Sequence, residues 1–337
     1  MRVLITGGYG FIGAWIAKNL LARGDEVFCY DLKEDPRRLR QILPEADVAR
    51  VHFIQGDVTD QERLTQSLRE QEITHVIHMA GLQVPTCRAN PILGATVNVL
   101  GTLAVFEAVK ALGAQVQRIV YASSAAVFGS PDKYPPGRLP DDARLIPGTH
   151  YGVFKCCNEG NARIYFQENG ISSVGLRPWT VYGVGRDLGM TSEPTKAIKA
   201  TLLGRPYAIN FGGYNDFQYV DDVAKAFIYS CERPYTGAKS YNLRGTIMSM
   251  EDFHKTLCRV LPAAETLVTY GTQQIAIAYD LSDDGIQADL GPIPATPLEQ
   301  GIRETVAIFQ KLYAEGRLDI SDLDAPKPPP VTVVDEV

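Results

Sequence analysis

Several things are missing from this chain of 337 residues. None of its six cysteines (Cys29, Cys87, Cys156, Cys157, Cys231, Cys258) forms a CxxC pair, so neither a zinc site nor a disulfide framework is expected, and the thiols read as reduced packing residues. There is no basic excess: 33 Lys and Arg against 39 Asp and Glu give a net charge of -6, with no Lys/Arg-rich run. That excludes the electrostatic footprint of a nucleic-acid binder. No apolar stretch approaches the roughly 20 residues of a membrane helix. The N-terminus enters a strand directly, without the charged-then-apolar layout of a secretory signal, and no repeat of fixed period is seen. The composition left over, 45% hydrophobic and 21% charged, is that of a soluble globular protein. Cytoplasm is the expected compartment, with no metal, membrane or nucleic-acid partner.

What is present is an alternation. Apolar strand-like runs fall at about 2–6, 26–31, 51–55, 74–79, 117–123 and 172–177, with helical patterns near 11–23, 60–71, 92–113 and 150–168. Strand, helix, strand with short links is the sequence form of an α/β, doubly wound parallel sheet. After LRPWTVYG the texture changes, and Pro194, Pro206, Gly212-Gly213, Pro234 and Gly237 cut the chain into shorter pieces. Helical runs remain near 193–203, 221–232, 249–260 and 297–315. The expected organisation is a dinucleotide-binding domain over 1–178, to which 215–243 returns, and a smaller C-terminal substrate lobe over 179–214 and 244–320. A Pro-rich tail over 321–337 is either a disordered end or an extended arm.

The fragment TGGYGFIG places Gly7, Gly10 and Gly13 directly after the first strand and at the start of an apolar-periodic helix (Phe11, Ile12, Trp15, Ile16, Leu20). Glycine there could simply relieve a tight turn. The strand before it and the helix after it favour another reading, in which free N–H groups and a helix dipole converge on a pyrophosphate. Asp31 ends the next strand, where a carboxylate accepts hydrogen bonds from an adenosine ribose and repels a 2′-phosphate. NAD is therefore expected over NADP, with Lys33 as the one nearby residue that softens the preference.

The GxxGxxG spacing, together with GDVTD at 56–60, HMAGLQ at 78–83, Asn98 in NVLGT, YASSAAVFG at 121–129, HYGVFK at 150–155 and RPWTVYG at 177–183, resembles the extended short-chain dehydrogenase/reductase family. That is the group of NAD-dependent sugar epimerases, dehydratases and dehydrogenases. The likeness runs from residue 1 to about 233 and more faintly to about 310. It implies a Rossmann domain whose NAD contacts are Gly7, Gly10, Phe11, Ile12, Gly13, Asp31, Asp57, Val58, Ala80, Gly81, Asn98, Ser123, Tyr151, Lys155, Pro178 and Val181. It also implies a homodimer, through the helices near 92–113 and 150–168.

Tyr151 and Lys155 are four apart, so on a helix they share a face. Ser124 stands at a strand terminus, where an α/β sheet presents groups to its ligand crevice. The resemblance makes these three the family's catalytic Ser/Tyr/Lys triad. The chemistry is coherent by itself: hydride can leave an alcohol carbon only if the hydroxyl proton leaves too, and a free tyrosine is a poor base at neutral pH. A neighbouring Lys155 ammonium is expected to favour tyrosinate, while Ser124 holds the substrate oxygen. His150 is expected to face elsewhere. Ala125 and Ala126, where a dehydratase needs an acid/base carboxylate, argue against elimination.

On the substrate side the chain departs from the pattern. Members acting on nucleotide sugars carry an arginine where this chain has Asn215, and the second phosphate arginine is absent from ADLGPIPATPLEQGI. A neutral amide cannot replace a bidentate guanidinium on phosphate. A small carbohydrate-like substrate (sugar, polyol or sugar acid) is therefore expected, contacted by Ser124, Ala125, Arg88, Arg186 and Thr191. Ser192 and Asn210 are further hydrogen-bonding candidates. A nucleotide-sugar 4-epimerase with tightly bound NAD is the alternative, and a non-catalytic NAD sensor a remote one, since a sensor has no need of Tyr151 and Lys155.

Overall fold

The computed structural model describes residues 1–325. Its main sheet is built from β1 (Arg2–Thr6), β2 (Glu26–Asp31), β3 (His52–Gln55), β4 (His75–His78), β5 (Arg118–Ala122) and β6 (Ser173–Arg177). A smaller sheet carries β7 (Thr180–Tyr182), and the remaining strands are β8 (Tyr207–Ile209), β9 (Tyr214–Tyr219), β10 (Ala238–Asn242), β11 (Thr246–Ser249) and β12 (Val268–Tyr270). The seven strands of the main sheet run in the order β10-β6-β5-β4-β1-β2-β3, and every adjacent pair is parallel. Alternation along each strand sends neighbouring side chains to opposite faces. Val3 and Ile5 enter one hydrophobic core and Leu4 the other, and Val76 and Ile77 divide in the same way. Both faces are thus buried under helices, which is why these strands read as continuous apolar runs.

The chain order reverses between β1 and β4. In a doubly wound sheet the crevice at such a point, beyond the carboxyl ends of the strands, receives the ligand. After β6 the chain leaves the main sheet. β7, β9 and β11 form a three-stranded sheet, with β7 parallel and β11 antiparallel to β9, while β8 and β12 pair separately. The helix Val220–Glu232 packs on Phe11–Ala22, and β10 joins the edge of the main sheet beside β6. Of the segment 215–243, the helix and β10 lie with the main sheet and β9 with the smaller one. Of the tail, residues 321–325 are described, Ser321–Leu323 as a 3-10 turn, and the rest lies outside the described residues.

One expectation is corrected. The helical run Pro91–Gln115 is long and apolar enough to span a membrane by length and composition, with an 18-residue window of mean hydropathy 1.8. Half of that window is buried inside the fold. Its inner face, including Val105, Phe106 and Val109, packs against the helices Gln61–Glu70 and His150–Asn169. Periodic burial against neighbouring helices accounts for the apolar character.

Candidate active site

A cavity of about 270 Å³ opens at the switch point. Gly7, Gly10, Phe11, Ile12 and Gly13 form its floor on one side. Gly7 has φ +66°, and a Cβ there would come within 2.9 Å of the Ala80 backbone; a Cβ on Gly13 would meet the Gly7 carbonyl at 2.7 Å. Only glycine allows this approach of β1, β4 and the helix. No side chain caps the helix Phe11–Ala22 at Gly10, so the N–H groups of its first turn remain available to an anion. The cradle fits a dinucleotide pyrophosphate.

Asp31, Asp57 and Val58 lie at the ends of β2 and β3, outside the cavity lining, on the flank where the adenosine half of such a cofactor would extend. Asp31 accepts the Leu32 N–H at 2.9 Å, and burial pushes its carboxyl up from the usual range. The nearby cation Arg38 is occupied: its Nη2 donates to both oxygens of Asp187 at 2.8 Å, and its Nη1 and Nε donate to the Tyr9 and Gly185 carbonyls at 3.2 Å. Arg38 is thus not free to receive a 2′-phosphate.

The helix His150–Asn169 starts where Thr149 accepts the Gly152 N–H at 3.1 Å, which sets the phase that turns Tyr151 and Lys155 inward. His150 is exposed and stacks on Phe154. Tyr151, Lys155, Ser123, Ser124, Ala125, Pro178, Val181 and Gly81 all line the cavity. Ser124 caps the short turn Ala125–Val127, accepting the Ala126 N–H at 3.1 Å, and its hydroxyl acts to lower the pKa of the Tyr151 phenol. Lys155 donates to the Ala122 carbonyl at 2.6 Å, with its ammonium 5.5 Å from the Tyr151 ring centre. Burial brings this amine down to about 8. Burial raises the phenol pKa, and the Ser124 hydroxyl and then the charge of Arg186 pull it back down.

Beneath the cavity runs a hydrogen-bond chain with one direction. Thr102 spends its only hydroxyl proton on the Asn98 carbonyl at 2.7 Å, so His78 Nε2–H must donate to Thr102 Oγ1 at 3.0 Å. His78 Nδ1 is then the acceptor for the Thr6 hydroxyl at 2.7 Å, and Thr6 Oγ1 accepts the Ala80 N–H at 3.3 Å. Burial, aided by the Lys155 charge, lowers His78 to about 3, which keeps it neutral. Asn98 sits in a π-helical turn, Thr96–Leu100, and its side chain accepts the Leu82 N–H and donates to the Leu82 and Gly94 carbonyls. It does not line the cavity, and neither does Ala80; it holds the 81–83 loop that does. Ser123, in turn, donates to Glu159, which forms a two-point ion pair with Arg177 at 2.8 Å.

On the opposite wall, Arg186 and Thr191 line the cavity and bond to each other at 2.9 Å. Arg88 does not join them: it is exposed on the helix Val84–Ala89, outside the lining. Ser192 and Asn210 are also outside it. Asn215 is fully buried in β9, with its Nδ2 directed at the Gly212 carbonyl at 3.4 Å. Sequence reasoning missed Gln83, Met190, Trp179, Ile275 and Ile277, which complete the walls. Gln83 and Trp179 sit inside quoted motifs and could have been named. Ile275 and Ile277 come from an irregular segment far along the chain, pinned where the Ala278 carbonyl accepts Trp179 Nε1–H at 2.7 Å, and no local pattern marks them.

The family model described as the NAD dependent epimerase/dehydratase family matches residues 3–243. A UDP-glucose 4-epimerase from Mycolicibacterium smegmatis is 28% identical over 317 residues, covering 92% of this chain and 99% of that protein. The structure of the Thermus thermophilus UDP-glucose 4-epimerase in complex with NAD superimposes with a TM-score of 0.78 at 28% identity, over 92% of this chain and 99% of that one. An L-threonine dehydrogenase from Cupriavidus necator has the same fold, with a TM-score of 0.79 at 22% identity over 91% and 99% of the two chains. With a glycine cradle fitted to a dinucleotide and a family match across most of its length, this chain is an enzyme that uses NAD and belongs to the NAD-dependent epimerase/dehydratase family.

Proposed function

We propose that the protein oxidises and reduces a secondary alcohol of a small sugar, polyol or sugar acid, with Tyr151 as the proton-transfer group, in the cytoplasm. The carrying observation is the convergence of Ser124, Tyr151 and Lys155 on one cavity with the glycine cradle. When bound, NAD supplies the hydride acceptor. Ser124 holds the alcohol oxygen, and Tyr151, as tyrosinate, takes the hydroxyl proton while the carbinol hydrogen departs as hydride, leaving a carbonyl. The cationic Arg186 lowers the cost of tyrosinate. Lys155, anchored on the Ala122 carbonyl, would hold a ribose hydroxyl of the bound cofactor. Ile275 and Ile277 give the cavity an apolar wall.

Conversion of Tyr151→Phe should reduce turnover by about 10²–10⁴-fold while NAD affinity is retained. Absorbance of reduced cofactor, followed over free sugars, aldonates, uronates and UDP-sugars, measures it; unchanged turnover in the variant would end this reading.

A second reading, a nucleotide-sugar 4-epimerase, is favoured by the 28% identity to UDP-glucose 4-epimerases over nearly full length. Against it stands Asn215, enclosed in β9 where a phosphate-gripping arginine would be needed. Turnover confined to UDP-sugars would select this second reading.

The homodimer reading is supported by apolar side chains exposed on the two helices concerned: Ile92, Leu93 and Leu100 on one, Val153 and Ile164 on the other. Light scattering should return twice the chain mass of 37.0 kDa; a monomer at micromolar concentration would refute it.

A further inference from the structure

Among the described residues, Arg186 is a cation without an ion-pair partner. Its guanidinium lies over the Phe11 ring, 5.5 Å from the ring centre, and donates a hydrogen bond to Thr191 Oγ1 at 2.9 Å. Its Nε is buried and has no partner. The adjacent carboxylate, Asp187, is taken: Arg38 binds both its oxygens at 2.8 Å and Arg37 approaches at 3.9 Å. No ion pair to Arg186 occurs among the described residues. Burial brings the guanidinium down to about 10, so at neutral pH it stays charged. A buried charge left without a partner is unfavourable, and here it is held in place. The Val184 carbonyl accepts Trp15 Nε1–H at 2.9 Å, the Gly185 carbonyl accepts Arg38 Nε–H at 3.2 Å, and the Gly183 N–H donates to Thr195 Oγ1 at 3.2 Å. These bonds anchor residues 183–185 directly before Arg186, so the cation is preorganised before any ligand arrives.

We infer that Arg186 is the receptor for a carboxylate on the substrate, making that substrate a short anionic hydroxy acid. The inference rests on reading the cavity as an alcohol-oxidising site and narrows its substrate class. Three features favour it over the neighbouring possibilities. No Asp or Glu is among the described residues lining the cavity, so a zwitterion's ammonium would face Arg186 and Lys155 without compensation. Ile275 and Ile277 give the cavity wall an apolar surface, which suits a molecule with an apolar edge. The other anion within the site would be the cofactor pyrophosphate, for which the helix N-terminus at Gly10 already provides donors; Arg186 lies over Phe11 beside that N-terminus but spends its hydrogen bond on Thr191, and the NAD arm of the test separates the two anions.

The test compares wild type with Arg186→Gln and Arg186→Lys, each loaded with NAD. The probes are β-hydroxybutyrate, gluconate as a longer hydroxy acid, L-threonine, which adds an ammonium to the β-hydroxybutyrate skeleton, and butan-2-ol, which lacks the carboxylate. Calorimetry gives the affinity for each probe and, separately, for NAD. At least one hydroxy acid should bind wild type and weaken about 100-fold in Arg186→Gln, with partial recovery in Arg186→Lys. Butan-2-ol should be indifferent to the change, L-threonine should bind more weakly than β-hydroxybutyrate, and NAD affinity should move less than about threefold. Parallel loss of NAD affinity would assign Arg186 to the pyrophosphate and overturn the inference. Equal binding of hydroxy acid to wild type and Arg186→Gln, tighter binding of L-threonine, or no hydroxy acid bound by wild type would overturn it too. Tyr151→Phe separates this from the parent reading, because it should bind the hydroxy acid normally and fail to oxidise it. Normal oxidation there would sink the alcohol-oxidising mechanism and leave the carboxylate receptor standing.

Discussion

Arg177 and Arg186 flank the same short stretch of chain and are treated in opposite ways. Arg177, at the end of β6, meets both oxygens of Glu159 and donates to the Asp141 carbonyl and to Asn242 Oδ1. Arg186, just beyond β7, has a threonine hydroxyl, an aromatic face and a bare Nε. Burial alone therefore does not mark a functional charge. What distinguishes the two is whether the fold supplies the counter-ion or leaves that to a ligand. Lys155 falls with Arg186: it is buried, it donates to a backbone carbonyl and it forms no ion pair among the described residues.

Breaking the paired member should have the largest effect on stability. Glu159→Ala leaves the Arg177 charge uncompensated and removes the acceptor of Ser123. Loss of one partner from a buried pair costs about 3–5 kcal/mol, so urea unfolding should shift to a markedly lower midpoint. A variant as stable as wild type would mean that Arg177 is not held as a structural cation.

The unpaired member should respond with the opposite sign. Lys155→Met should stabilise the fold by about 0.5–2 kcal/mol at neutral pH, while turnover falls by about 10²–10⁴-fold. The pH dependence sharpens this. Burial lowers Lys155 from 10.5 to about 8, so between those values the unfolded chain binds more protons than the folded one. Wild-type stability from this group therefore rises with pH across that window. The advantage of Lys155→Met should be greatest below pH 8 and shrink toward pH 10.5. A constant difference in denaturation midpoint across the window would show that Lys155 is not the group responsible.

The same contrast explains what could be read in the sequence. Five of the first six strands were legible because they are apolar runs buried on both faces, and β3, at the sheet edge with His52 and Gln55 exposed, because it sits at the regular interval between helical patterns. The glycine cradle and the pair Tyr151/Lys155 were legible because their geometry is set within a few residues. β7, β8, β9, β11 and β12 were not, being short strands whose partners lie far away in sequence: β8 at Tyr207–Ile209 pairs with β12 at Val268–Tyr270. Arg186 was picked out as a cation beside a motif, but its lack of a counter-ion depends on Arg38 reaching Asp187 from 149 residues away. Helical spacing places Tyr151 and Lys155 on one face, but it does not say that the ammonium will turn to a carbonyl at Ala122 or that the charge of Arg186 also acts on the phenol.

The smallest effect at neutral pH is expected where no charge exists at all. His78 is enclosed between Thr6 and Thr102 in a chain whose direction is set at its far end by the Asn98 carbonyl. A neutral imidazole satisfies both neighbours; a protonated one would present a second donor to Thr6, which would have to turn its own proton away from His78. With its pKa lowered from 6.5 to about 3, His78 makes the unfolded chain bind more protons between those values, so its contribution is full above pH 6.5 and is lost as pH falls toward 3. Glutamine offers the same two functions, an N–H for Thr102 and an oxygen for Thr6, without a titration. His78→Gln should therefore cost less than about 1 kcal/mol at pH 7 and flatten the fall in melting temperature between pH 6.5 and 3. If the variant kept the wild-type acid slope, some other group would carry it. If it lost NAD affinity at pH 7 while staying folded, the chain would be more than a support, because the strain would then have passed through Thr6 and Ala80 to the cradle itself.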